Sequence, residues 1–314
     1  MPFRSGRWAW IWLEHRSRVL AAGLRAAAGD GQHETVWRLA DALWPLWERR
    51  RDYTLWAGMY ELAEQAADAC GLPPRAGAVL ALGRGAGLLG TGRRAAAMAA
   101  FARARTHAQA AGDVRLDVAA TCGLARALRE DGAHDEAAVL LDLAVHTARR
   151  AGHARATALA VIEHALTALA SGRPQDAAGL LDTAHRMLEA LPEPDETASA
   201  WALTYRGGAL ARAGEPDAGD AALREAAGRF AGLVHPYAHG ACLGMRADIA
   251  AARARHGNAR TFLASALAVH GTPPRDTPGA RELRAAHDLL PPAPATPRER
   301  RHRQPVTGLL PLIH

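Results

Sequence analysis

The chain has 314 residues, 49% hydrophobic and 22% charged, which excludes an intrinsically disordered polypeptide and leaves ample apolar surface for a core. Its net charge of +6 rests on arginine alone, because no lysine occurs. The basicity sits at the two ends: residues 1–29 carry five Arg against Glu14, and residues 271–314 carry seven Arg against four acids. The near-neutral middle argues against the basic stripe that a nucleic-acid-binding array needs.

The first apolar run, Trp8-Ala9-Trp10-Ile11-Trp12-Leu13, is cut short by Glu14, His15 and Arg16. That is too brief for a signal peptide or a membrane span, and no other stretch approaches ~18 apolar residues. A cytoplasmic protein without a membrane partner is expected. Residues 7–28 predict a helix whose Trp8, Ile11, Trp12, Val19, Leu20 and Leu24 suit one face, ended by Gly29-Asp30-Gly31. A helix over about 34–50, a turn at Arg51-Asp52 and a second helix to Cys70 make a first hairpin rich in aromatics: Trp37, Trp44, Trp47, Tyr53, Trp56 and Tyr60. Pro45 should kink its first helix, since it cannot donate to the carbonyl four residues back. Exposed aromatics would make a binding anchor. The helical periodicity favours the other use, the packed core of an N-terminal cap.

Beyond Gly71-Leu72-Pro73-Pro74 the chain repeats itself. Gly92, Gly132, Gly172, Gly214 and Gly257 open comparable segments at steps of 40, 40, 42 and 43 residues, and Ala111-Gly112 and Ala151-Gly152 keep the 40-residue register. A fixed period of this size means helical hairpins stacked as a solenoid, over about 75–111, 114–151, 154–190, 195–231 and 236–270. From Gly271 the texture becomes rich in Pro and Arg, including Arg298-Glu299-Arg300-Arg301-His302-Arg303. Such a tail should be mostly disordered, apart from one short helix near Gly279–Leu290, and could make weak, salt-sensitive contact with nucleic acid. The expected organisation is a helical array over 1–270, with a Trp-rich cap at 7–70, and a tail over 271–314.

Within a unit, Gly132-Ala133-His134-Asp135-Glu136-Ala137, then Leu141 and Ala144, with Ala125 and Leu128 in the preceding helix, resembles the tetratricopeptide repeat. Gly92 with Ala97, Phe101 and Ala104, Gly172 with Ala177, Leu181 and Ala184, and Gly214 with Gly219, Leu223 and Ala226 repeat it. The resemblance implies an all-α superhelix of about six hairpins, with longer helices than usual because the period exceeds ~34. The terminal units depart from the pattern, as end caps do: the first has Arg51 in the glycine place with Trp44 and Trp56 in the small places, and the last has Phe262. A narrower resemblance rests on Trp12-Leu13-Glu14-His15, Leu20-Ala21-Ala22-Gly23-Leu24 and Trp37 through Trp47. These are similar to the start of the repeat domain in large actinobacterial-type transcriptional regulators, including the antibiotic-regulatory class, which also carry an NB-ARC-type ATPase and a DNA-binding domain. The likeness covers about 8–270, and neither of those other domains is matched.

Catalytic and cofactor motifs do not assemble. Gly85-Ala86-Gly87-Leu88-Leu89-Gly90 fits G-x-G-x-x-G but falls inside a repeat helix, where no strand precedes it, so close packing is the expectation. Glu163-His164 and His235-Pro236-Tyr237-Ala238-His239 lack a third ligand at helical spacing, and Cys70, Cys122 and Cys242 lie far apart, so neither a metal site nor a disulfide is expected. No nucleophile motif occurs. The expected function is a non-enzymatic, regulatory scaffold for a protein or peptide partner, without cofactors. The alternative is the sensor arm of a transcriptional regulator, binding a small ligand or peptide and controlling a partner ATPase or transcription factor. The tetratricopeptide resemblance places Cys122, Arg126 and Arg129 on the groove-facing side, with Arg206 and Arg212 of the fifth hairpin as further candidates. Arginines there would suit acidic side chains or a terminal carboxylate.

Overall fold

A computed structural model of the chain describes residues 6–269 and 278–289. All regular structure among the described residues is α-helical, in fifteen helices. The chain divides into two compact units, Met1–Arg173 with Ala190–Glu193, and Pro174–Glu189 with Pro194–His314. The first holds α1 (Gly6–Gly29), α2 (His33–Ala42), α3 (Trp44–Arg50), α4 (Tyr53–Cys70), α5 (Pro74–Gly90), α6 (Arg94–Ala110), α7 (Val114–Glu130), α8 (His134–Arg150) and α9 (Ala154–Ala170). The second holds α10 (Pro174–Glu189), α11 (Glu196–Arg212), α12 (Pro216–Gly232), α13 (Pro236–Ala252), α14 (His256–Val269) and α15 (Pro278–Leu289).

A 20-residue module explains the 40-residue period. Helices such as α7 and α8 run 17 residues, about 25 Å, and are joined by three-residue turns. At the end of α7, Gly132 takes φ 85° and its N–H bonds the Arg129 carbonyl at 3.1 Å, while the Ala133 N–H reaches Leu128 at 2.9 Å. This reciprocal pair, a Schellman motif, satisfies carbonyls that the helix end would otherwise orphan. The same turn recurs at left-handed residues Gly92, Gly112, Gly132, Gly152 and Gly172, and again at Gly214, Val234 and Ala254. Between α10 and α11 the rule breaks. The Ala190–Asp195 connector, with Pro192 and Pro194, is instead tied by side chains: buried Ser199 donates to Glu189, and Arg229 bonds Glu189 at 2.6 Å.

The last repeat corrects the sequence reading. Gly257 lies inside α14, and the left-handed turn residue is Ala254, 40 after Gly214. Counted from Ala254, the buried Ala259, Leu263 and Ala266 fill the places of Ala137, Leu141 and Ala144, so this unit keeps the pattern and Phe262 is not its contact residue. Alanine in the left-handed region costs about 1–2 kcal/mol, partly offset by the extra chain entropy that glycine loses on folding. Ala254, exposed at φ 56°, therefore offers a clean test. Ala254→Gly should stabilise the second unit by roughly 0.5–1 kcal/mol, and Gly132→Ala should destabilise the first by about 1 kcal/mol. Thermal melts moving both variants in the same direction would refute the strain.

Small residues set how closely helices approach. Ala97, Ala104, Ala125, Ala137, Ala144, Ala177 and Ala184 are fully or almost fully buried, with Phe101, Leu141 and Leu181 between the pairs. The G-x-G-x-x-G stretch is packing of the same kind. A Cβ on Gly85 would lie 2.6 Å from the Phe101 ring, and one on Gly87 2.8 Å from the Ala57 backbone nitrogen. Successive first helices also touch: α5 with α7 and α7 with α9 in the first unit, α11 with α13 and α13 with α15 in the second. Ion pairs add inter-helix ties, as where Glu64 of α4 holds both Arg84 of α5 and Arg103 of α6.

The aromatic hairpin is a core. Trp47, Trp56 and Tyr60 are buried, Trp44 is half-buried, and Trp44 meets Trp56 edge-on with centroids 5.2 Å apart. Pro45 does more than kink its helix: the chain breaks at Leu43, and Pro45 opens α3 in the first-turn position where no donor is needed. In α1 the expected single apolar face is split. Leu24 is buried and Leu20 half-buried, whereas Trp12 is 41% and Val19 62% exposed. Cys70 is exposed. The expectation of a disordered tail over 271–314 falls largely outside the described residues. Within that span α15 lies where a helix was foreseen, packing Leu283 and Ala286 against the last hairpin.

Candidate functional site

Cys122, Arg126 and Arg129 follow one another on α7 at spacings of four and three, which puts them on one face. The structure joins two of them to a residue of α9. Arg126 pairs with Oε1 of Glu163, and Arg129 bonds Oε2 at 2.9 Å. Arg129 also reaches the Glu163 carbonyl at 3.3 Å and Thr167 Oγ1 at 3.4 Å. The burial differs: the Arg129 side chain is 9% exposed, Arg126 is 35% exposed, and Glu163 is buried.

Burial alone would raise the Glu163 carboxyl, but the charges of Arg126 and Arg129 and their hydrogen bonds outweigh it and hold the group at about 2. Two guanidiniums thus share one carboxylate, and the trio carries one positive charge. The neighbouring Cys122 thiol is pushed up to about 12, by burial and then by Glu163, so it is no thiolate at neutral pH. The register places of Ala119 and Cys122 are apolar on the neighbouring first helices. Val79 and Leu82 of α5 and Leu159 of α9 are half-buried, and Ala119 of α7 is exposed. The arrangement can therefore receive an anionic group at the partly exposed Arg126 side chain, while Glu163 holds that guanidinium in place.

Arg206 and Arg212 belong to the second unit. Arg206 pairs with Asp182 of α10 at 3.4 Å, and Arg212 is exposed in the last turn of α11. Six residues apart, they point about 120° from one another around that helix. The structure thus assembles Cys122, Arg126 and Arg129 and leaves Arg206 and Arg212 as separate positions on α11.

Two groupings were missed from sequence. Glu163 lies 40 residues after Gly123 and 80 after Gly83, so a charged side chain occupies a register place otherwise kept small and buried. That break in the register was a usable signal. In the second unit, half-buried Trp201 stacks on Tyr205 at 5.4 Å and meets Phe230 edge-on at 5.1 Å, with His235 and Tyr237 adjoining. His235, read as a possible ligand, accepts a hydrogen bond from the Ala238 N–H and caps α13.

Two further polar groupings are not arranged as a nucleophile with its base. Ser199 lies 2.8 Å from His185 Nδ1, yet its own proton goes to Glu189 and it is fully buried, the reverse of an activated nucleophile. A cleft of about 670 Å³ opens between α1, α2 and α4, lined by Arg25, His33, Glu61 and Gln65, and Glu61 pairs with Arg84. No helix among the described residues is long and apolar enough to cross a membrane.

No protein-family model matches the chain, and no curated protein matches it. Among solved structures it is similar to a Rap protein complexed with competence and sporulation factor, with TM-score 0.59 and 13% identity over 85% of this chain and 78% of that one. The apo quorum sensor NprR from B. thuringiensis gives TM-score 0.55 and 14% identity over 87% and 82%. NprR in complex with its cognate peptide NprX gives 0.55 and 13% over 90% and 79%. At such identities the likeness is one of fold, and the fold is a tetratricopeptide-like helical solenoid.

Proposed function

We propose that the chain is a non-enzymatic regulatory scaffold that binds a peptide or protein segment on the first-helix layer of its first unit. Arg126 receives an acidic side chain or terminal carboxylate, and Cys122, Leu82 and Leu159 contact an apolar neighbour of that group. The observation that carries this reading is that Arg126, still 35% exposed, is held by the buried carboxylate of Glu163 on a helix face it shares with Cys122. A pre-positioned guanidinium loses little freedom on binding, which favours recognition. Support by analogy comes from the Rap protein and NprR, which share this fold and whose solved structures are complexes with competence and sporulation factor and with the cognate peptide NprX.

Pull-down with mass spectrometry from the native cell, followed by calorimetry, tests it. Arg126→Ala should weaken the recovered partner by roughly 1.5–3 kcal/mol, the scale of a hydrogen bond to a charged group. Its melting temperature should move little, because Glu163 keeps Arg129. Unchanged affinity would sink the assignment. The resemblance of residues 8–270 to the repeat domain of large transcriptional regulators supports a second reading, a sensor arm that controls a partner ATPase or transcription factor in the cytoplasm. A neighbouring reading frame for an ATPase, and its recovery in the same pull-down, would favour it.

A further inference from the structure

We infer that the solvent face of α1 is a docking seam for an acidic amphipathic helix of a partner protein. A helix face turned to water is ordinarily polar, yet two of the large hydrophobic side chains exposed among the described residues, Trp12 and Val19, lie on the outer side of α1. The inner side is packed through Ser17, Ala21, Leu24 and Ala27, so these two residues belong to a second stripe.

That stripe has a register. Trp12, His15, Val19, Ala22 and Ala26 are exposed and spaced by three, four, three and four, the a/d rhythm of a heptad seam. In that register Arg16 takes an e position and Arg18 and Arg25 take g positions, all exposed. The Arg16 guanidinium lies 5.6 Å from the centroid of the Trp12 ring, so one flank of the seam is both cationic and aromatic. Flanking charges decide partner choice in such seams. An antiparallel second copy of α1 would set Arg18 against Arg25, and a parallel one would leave the arginines without a counter-charge, whereas a helix with glutamates at its own e and g positions offers a partner to all three arginines. An anionic lipid surface would satisfy the arginines alone. The far half of the stripe is Ala22, Gly23 and Ala26, which has nothing bulky to insert into acyl chains but suits close approach of another helix.

The test uses the full chain and two labelled synthetic four-heptad helices with leucine at a and d, one with glutamate and one with lysine at e and g. A third arm is vesicles of phosphatidylcholine with phosphatidylglycerol. By fluorescence anisotropy the glutamate helix should bind and the lysine helix should not. Val19→Asp, and Arg18→Glu with Arg25→Glu, should each weaken it by at least about tenfold. Melting temperatures should stay put because these side chains are exposed, and the double variant should gain affinity for the lysine helix. Absence of binding by the glutamate helix, equal binding of both helices, or binding unaffected by Val19→Asp would overturn the inference. So would capture by vesicles in preference to the helix, or a dimer of the chain that Val19→Asp abolishes.

Discussion

Glu163→Leu is expected to destabilise the first unit by roughly 3–5 kcal/mol, the cost of breaking a buried ion pair by removing one partner. Arg129 carries most of that loss. It is nearly covered, and without the carboxylate it keeps only the backbone carbonyl of residue 163 and Thr167 as acceptors. Arg126, more exposed, can turn toward water. Replacing Arg129 as well, in Glu163→Leu with Arg129→Met, should recover much of the loss, because two apolar side chains of similar volume need no counter-charge. A double-mutant cycle by chemical denaturation measures this, and additive losses would show that the pair is not coupled.

The same site makes a pH prediction with a definite sign. The folded carboxyl is held at about 2, below its ordinary 4.5, so the unfolded chain takes up this proton first as the solution is acidified. The stability contributed by Glu163 is fully present above pH 4.5 and is lost as pH falls toward 2. The double variant should lack this component and keep its advantage over Glu163→Leu at every acid pH, because Arg129 stays charged throughout, while the wild type converges on Glu163→Leu in strong acid. A parallel acid profile for wild type and double variant would contradict the assignment. In a stacked array the effect should also be local, seen in hydrogen exchange on α7 and α9 before the other helices.

What the sequence disclosed, and what it hid, follows from how each feature is encoded. The hairpins were legible because a left-handed turn residue is usually glycine, and Gly92, Gly132, Gly172 and Gly214 mark it in plain text. Arg51, Val234 and Ala254 take the same conformation without that letter, so the last unit was read in the wrong register and its Ala259, Leu263 and Ala266 passed unnoticed. In α1 the apolar residues were assigned to one face, yet Val19 and Leu24 stand about 140° apart on a helical wheel. Two stripes on one long helix look like one when only the count of apolar residues is followed. Cys122, Arg126 and Arg129 were visible as a face of one helix. Their partner was not, because a contact across 34 residues shows in sequence only through the register of the repeat.

Trp56→Ala should cost roughly 3–5 kcal/mol, while Trp56→Phe should cost far less. Trp56 is buried between two rings, Trp44 edge-on at 5.2 Å and Tyr53 stacked at 5.7 Å. Truncation to alanine removes both contacts and leaves a cavity that Trp47 and Tyr60, themselves fully buried, cannot move to fill. Phenylalanine keeps a ring in the stack and loses little else. The Trp56 indole N–H is buried and finds no acceptor among the described residues, so removing it relieves the desolvation of a donor that gains nothing in return. Trp44→Ala should fall between the two, near 2–3 kcal/mol, because that ring is only half-buried. For a unit of this size the alanine change at Trp56 corresponds to a drop of about 10 °C in Tm. If these aromatics were instead a partner's anchor, the order would change: both alanine variants would melt within about a degree or two of wild type, as exposed positions do. Trp56, with half-buried Trp44 against it, belongs to the packed core shared by α2, α3 and α4, and three melts with no partner present decide between the two uses.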